Sequence, residues 1–282
     1  MVTAMYRCEK IMNPNCCHPP PDQKRLLEFK NITVFKDNRK VLDSLSLSLS
    51  QGEHVAILGP NGSGKSSFIK TITREYYPVI QDTDIVFRIW GMGVWDVSTL
   101  RSLLGIVSND LQNTFTREIT GRDVVVSGFF NSVGLYRCRP TPAMEKKAYD
   151  VIRFLGIGHL EDREMTRMST GEARRFLIAR ALIHDPKALI LDEPTNSLDM
   201  HALHTFRKTL RNIARSGTGI ILITHNLQDI IPEISRVILM RDGKFYCDGP
   251  KAEILTEERI GDLFSIPVQI REEQGYYYTV GD

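Results

Sequence analysis

Between residues 44 and 50 the chain alternates without a break, with Leu45, Leu47 and Leu49 separated by serines. A period of two puts the three leucines on one face, so this stretch predicts a half-buried strand. Leu27, Phe29, Ile32 and Val34 upstream have the composition of a partner strand. After the turn at Gln51-Gly52, residues 53–58 form a short apolar run, the pattern of a strand covered on both faces in a parallel sheet. Residues 188–191 and 219–224 repeat that pattern, each beside segments of helix length. Strands alternating with helices predict an α/β fold around a parallel sheet. Residues 112–168 turn helical, with Pro140 and Pro142 expected to interrupt the pattern. Residues 236–240 and 245–247 flank Asp242-Gly243, the signature of a β-hairpin. There is no internal repeat.

Composition narrows the function. The 282 residues carry a net charge of +2, with 25% charged residues, which argues against a nucleic-acid partner. Short basic clusters such as Arg174-Arg175 read as solvated helix faces. Five scattered cysteines, Cys8, Cys16, Cys17, Cys138 and Cys247, do not form a disulfide framework and suit a reducing compartment. Cys8, Cys16, Cys17 and His18 lack the spacing of a structural zinc site. No apolar run approaches the roughly 20 residues needed to cross a bilayer, and no secretory h-region is present. Any membrane function therefore needs a second chain.

Candidate chemistry begins at Gly59-Pro60-Asn61-Gly62-Ser63-Gly64-Lys65-Ser66, which fits G-x-x-x-x-G-K-[ST] without a gap. Glycines let backbone N–H groups turn inward around an anion, and the following helix, with Ser67 in its first turn, points its positive end at the phosphates. Lys65 is expected to reach the β- and γ-phosphates of ATP, and Ser66 to ligate Mg²⁺. The loop lies between a buried strand and a helix, the context that gives the motif its meaning. The strand at 188–191 ends in Asp192-Glu193, where open α/β sheets place ligands. Asp192 is expected to hold Mg²⁺ through water, and Glu193 to orient or deprotonate the attacking water. A pair of acids that merely cap the next helix is the plainer alternative.

Five motifs in order give the chain a resemblance to the ATP-binding-cassette (ABC) ATPases over residues 26–265. Met168-Ser169-Thr170-Gly171-Glu172 resembles the family's signature, Asn196-Ser197-Leu198-Asp199 its D-loop and His225 its switch histidine. Phe35 stands where the family stacks an aromatic on adenine, although an aromatic in a strand is also an ordinary core residue. Ser169-x-x-Glu172 reads locally as a capping box opening a helix that buries Ala173, Phe176, Leu177 and Ala181 on one face. The resemblance implies a P-loop NTPase fold: a RecA-like parallel core, an N-terminal antiparallel β subdomain and an inserted helical subdomain near 112–168. Residues 1–25 are then a flexible leader and residues 266–282 a C-terminal tail.

The resemblance also implies a head-to-tail dimer, with a second copy or a homologous ATPase, in which each ATP lies between one chain's phosphate loop and the other's Ser169 and Gly171, and it counts Asp199 among the nucleotide-binding residues. It implies a separate polytopic membrane subunit, a cytoplasmic location on the membrane's inner face and ATP hydrolysis coupled to transport. Residues 122–129 look like the corresponding part of importer ATPases, and residues 249–268 are similar to ATPases serving metal-chelate importers. A non-transport ABC ATPase acting on ribosomes or DNA is the alternative. Two departures stand out. Thr170 and Glu172 replace a glycine and a glutamine of the signature, and Val107-Ser108-Asn109 stands where the family has a Mg²⁺-linked glutamine. Either Asn109 or Gln112 is expected to take that glutamine's place.

Overall fold

The structure is a computed structural model that describes residues 25–79, 84–108, 118–135 and 139–280. Asn109, Gln112, Cys138 and residues 1–24 of the expected leader lie outside the described residues.

Three sheets organise the described residues. The first is antiparallel, in the order β2-β1-β4, from β1 (Arg25–Lys36), β2 (Arg39–Ser50) and β4 (Val86–Ile89). Leu45, Leu47 and Leu49 are buried on its inner face while the intervening serines are exposed, as alternation requires. The second has six strands in the order β5-β6-β7-β3-β8-β9: β5 (Leu104–Val107), β6 (Ala188–Asp192), β7 (Gly219–Thr224), β3 (His54–Leu58), β8 (Arg236–Arg241) and β9 (Lys244–Pro250). The first five run parallel and β9 closes the edge antiparallel.

Uninterrupted apolar strands follow from cover on both sides. Val55, Ile57, Ile190, Ile221 and Ile223 pack toward the antiparallel sheet and α1 (Lys65–Ile72). Ala56, Leu58, Leu189, Leu191, Ile220 and Leu222 pack toward the helices on the opposite face. Those helices include α3 (Gly121–Ser127), α4 (Pro142–Phe154), α5 (Thr170–Leu182) and α6 (Met200–Arg215). Helix α2 (Val97–Leu103) leads into β5.

Three sequence expectations need correction. Pro142 does not interrupt a helix but starts α4 at its first turn, behind the Thr141 cap, where proline's missing N–H costs nothing. Helix α5 buries Arg174, Ile178, Ala179 and Leu182 as well as Ala173, Phe176 and Leu177, so it is enclosed on more than one face. Arg174 is only 4% exposed and not on a solvated face.

After α7 (Lys251–Ile254) and α8 (Glu257–Phe264), residues 266–280 include a hairpin of β10 (Gln269–Glu273) and β11 (Tyr276–Val280). Lys251 Nζ donates to the carbonyls of Ile231, Pro232 and Gly275 at 3.0–3.3 Å, and Arg207 stacks over Tyr276. These contacts latch the hairpin to the segment that follows β7, through Lys251, and to α6, through Arg207.

Candidate active site

Strand β3 ends at Leu58 and delivers the chain into the glycine-rich loop. Gly64 caps α1 with φ 107°, a left-handed conformation that side chains avoid, and a Cβ there would lie 2.8 Å from Met240 Cε and 3.0 Å from the Val41 carbonyl oxygen. The Ser63 carbonyl accepts from Gly243 N at 2.8 Å, so the β8–β9 hairpin braces the loop from behind. Ser63 itself is buried. Asn61, Gly62, Gly64, Lys65, Ser66 and Ser67 line one wall of a cavity of about 1140 Å³, and Asp192 and Glu193 line it too.

Lys65 is 5% exposed, and its ammonium donates to the carbonyls of Gly59 and Pro60 at 2.8 Å each. It also lies 3.5 Å from Glu193 Oε1. Burial pushes its pKa down, and the carboxylates of Glu193 and Asp192 oppose that shift.

Glu193 is the focus of the site. The β6–β7 ladder runs as far as Asp192 opposite Ile223, and Glu193 N then donates to the Ile223 carbonyl at 2.7 Å. At Glu193 the chain turns with φ 45°, a conformation that costs a non-glycine residue about 1–3 kcal/mol and persists only where neighbours impose it. They do so at both ends: besides the amide bond, Arg174 Nη1 donates to the Glu193 carbonyl at 3.2 Å. The carboxylate is held from three sides. Asn196 Nδ2 donates to Oε2 at 2.7 Å, and Oε1 lies 3.3 Å from His225 Nδ1 and 3.5 Å from Lys65 Nζ. Burial alone would raise its pKa, but Asn196, His225 and Lys65 outweigh burial and lower it. The ionised form is therefore favoured.

Two further groups sit behind this edge. Arg174 and Asp229 are both buried, and burial pushes the Asp229 carboxyl up against the opposing effects of Thr224, Thr195, Arg207 and His225. Sequence reasoning placed Arg174 on a solvated face and passed over Asp229. The signal available for Arg174 was its place among Ala173, Phe176 and Leu177, residues that belong in a core.

The signature segment is built as its local pattern predicts. Ser169 Oγ accepts from Glu172 N at 3.2 Å, while Ser169 N donates to Glu172 Oε2 at 2.9 Å, completing a capping box. A Cβ on Gly171 would lie 2.7 Å from Ala202 Cβ, so the start of α5 packs directly on the start of α6. Asp199 caps α6 by accepting from Ala202 N at 2.7 Å. Ser169 is exposed, and neither Ser169 nor Gly171 lines this chain's own phosphate-loop cavity.

Phe35 lies opposite Lys40 in the β1–β2 pair and is 45% exposed, so it is no core residue. Its neighbours Arg39, Lys40 and Val41 line the cavity, and Phe35 does not.

The donor set suits Mg²⁺. Ser66 and the Asp192 carboxylate offer oxygen to one cavity, and Mg²⁺ characteristically takes one or two protein oxygens with phosphate and water. Among the described residues no helix is long and apolar enough to cross a membrane.

Comparison with known proteins agrees with this geometry. The family model described as ABC transporter matches residues 42–196, a span holding the phosphate loop, Ser169, Asp192 and Glu193. The chain is 31% identical over 257 residues to the ABC transporter ATP-binding protein YmeB of Lactococcus lactis subsp. lactis, covering 90% of this chain and 98% of that one. It is 28% identical over 263 residues to the hemin import ATP-binding protein HmuV of Bradyrhizobium diazoefficiens, covering 90% and 94%. A dimeric ATP-binding cassette solved in a post-hydrolysis state with ADP and Pi shares the fold, with a TM-score of 0.64, 22% identity and coverage of 79% and 98%. A phosphate loop facing an ionised, strained glutamate across one cavity, on a sheet of this strand order, thus comes with matching sequence over more than half its length: the chain belongs to the ABC transporter family, as an ATP-binding cassette.

Proposed function

We propose that this chain hydrolyses ATP at the cavity between the phosphate loop and Glu193, as one half of a head-to-tail pair that drives a separate membrane subunit. The observation that carries the reading is the convergence of Lys65, His225 and Asn196 on the Glu193 carboxylate. That arrangement keeps one acid ionised and aimed beside a phosphate-binding loop.

Backbone N–H groups of the phosphate loop other than Gly59, which donates to Thr224, and Pro60, which has none, cradle the phosphates, and Lys65 leaves the loop carbonyls to pair with them. Ser66 and Asp192 would hold Mg²⁺, which would supply neutralisation of phosphate charge there. Glu193 accepts a proton from water as the water oxygen bonds to the γ-phosphorus and the bond to the ADP oxygen breaks. His225, beside Glu193, faces the γ-phosphate. Asn109 or Gln112 supplies the amide linked to the metal, and Phe35, exposed and paired with Lys40, stacks on adenine.

The exposed, capped N-terminus of α5 is an anion site that this chain's own cavity does not use. That supports a second ATPase chain presenting its γ-phosphate to Ser169 and Gly171, with Asp199 close by. The cassette of the same fold solved as a dimer with ADP and Pi favours pairing of two chains. Relatives named for hemin and zinc import favour uptake of a metal or metal chelate through a polytopic partner, with this chain on the cytoplasmic face.

The deciding experiment uses tagged Glu193→Gln protein in its native cell with ATP. Turnover is expected to fall at least about a hundredfold, with an ATP-bound dimer trapped and a single polytopic partner cross-linked in the membrane fraction. Unchanged turnover would refute the role of Glu193. A trapped dimer on ribosomes or DNA, with no membrane partner, would refute the transport role and leave the ATPase standing.

A further inference from the structure

Asp229 is 2% exposed, in the turn Leu227–Asp229 behind the catalytic edge, and no step above uses it. An isolated buried carboxylate is costly, so its neighbours define its work. Its Oδ2 accepts from the Thr224 hydroxyl. The same hydroxyl oxygen accepts from Asn226 N at 3.0 Å, closing the turn that carries His225 between them. The other carboxylate oxygen, Oδ1, is buried without a hydrogen-bond partner among the described residues, so the Thr224 link is the one the geometry shows. Arg174, which holds the Glu193 carbonyl, lies in the field of the same carboxylate.

The position matters because the backbone ladder between β6 and β7 ends here. The last pairing is Asp192 with Ile223, followed by the Glu193 amide bond. Beyond it two loops diverge, one carrying Glu193 and Asn196, the other His225. We propose that Asp229 is a positioning residue for ATP hydrolysis, holding the turn that carries His225 through Thr224. The proposal rests on the reading of Glu193 as the group that activates water.

The test is steady-state ATPase kinetics on the full chain. Thr224→Val keeps the volume and removes the hydroxyl, while Thr224→Ser keeps the hydroxyl and loses a methyl. The proposal expects Thr224→Val to lower kcat by about tenfold or more with KM for ATP within about twofold, because misplaced catalytic groups cost rate rather than binding. Thr224→Ser should stay within about twofold of the parent kcat. Asp229→Ala should match the valine variant, and the double variant should lose no more than either alone, as one shared link requires. A role in packing alone gives the opposite order, with serine the less stable variant and kcat per folded molecule unchanged in all. If Asp229→Ala does not fold, the two Thr224 variants decide by themselves. Should Thr224→Val keep full kcat while Glu193→Gln is inactive, the positioning role falls and the Glu193 assignment stands. A fully active Glu193→Gln overturns both.

Discussion

Ser169 is expected to do two separable jobs, capping α5 and facing an anion, and two substitutions pull them apart. In Ser169→Ala the bond from Glu172 N to Ser169 Oγ is lost, while the reciprocal bond from Ser169 N to Glu172 Oε2 needs only the backbone and survives. Losing one such cap bond at an exposed helix end costs about 1 kcal/mol. In a domain of this size that corresponds to a fall in Tm of about 2–4 °C. In Ser169→Asp the new carboxylate caps as well as serine and suits the positive helix end, so Tm should move by no more than about 1 °C. Its charge, however, would face the γ-phosphate brought by the second chain. A unit charge about 4 Å from another in surroundings of effective dielectric about 20 is worth about 4 kcal/mol. At about 1.4 kcal/mol per decade, that weakens the ATP-bound pair on the order of 10²–10³-fold. Calorimetry reads the first quantity. Turnover at low protein concentration, together with size-exclusion chromatography in a Glu193→Gln background, reads the second. The alanine variant should therefore be the less stable and the aspartate variant the less active. An aspartate variant with turnover within about twofold of the parent would show that Ser169 is a cap and nothing more.

The remaining predictions concern the phosphate loop and the acid. Lys65→Ala should weaken ATP binding by calorimetric titration, and normal affinity would contradict the loop assignment. Gly64→Ala should destabilise the fold by more than about 1 kcal/mol in urea unfolding, because φ 107° opposes any side chain and two atoms crowd the new Cβ. Glu193 has a folded-state pKa below its ordinary value of 4.5, so its stabilising contribution is complete above pH 4.5 and is lost as pH falls through the lowered folded value. Glu193→Gln should therefore lose less Tm than the parent on acidification through that range, and equal losses would refute the coupling.

Much of this was legible in advance, and what was not has a common cause. The leucine–serine alternation and the short apolar runs report which faces are covered, so β1, β2, β3, β6 and β7 could be read directly, whereas β4 and β5 could not. The phosphate loop was legible because its conformation demands particular residue types at fixed spacing. Arg174 was misread because a sequence reports charge and not surroundings, and here an enclosed helix carries it to the Glu193 carbonyl. The left-handed turn at Glu193 is equally silent, being imposed by Ile223 and Arg174 from distant segments. Asp229 lies only four residues beyond His225, yet nothing in its local sequence reports that it is buried. Strand β10, with the sequence QIREE, offers almost no apolar signal, and its hairpin is held by Lys251 and Arg207.

The strand order has a consequence of its own. Glu193, His225 and the phosphate loop leave the ends of β6, β7 and β3, three immediate neighbours in the sheet. Adjacent strands lie about 4.8 Å apart whatever side chains they carry, because peptide hydrogen bonds set that interval. The sheet thus serves as a ruler graduated in peptide units, with one reactive station per division. The apolar residues within those strands can drift among themselves over evolutionary time without moving the stations, whereas the loops beyond the last division have no such gauge.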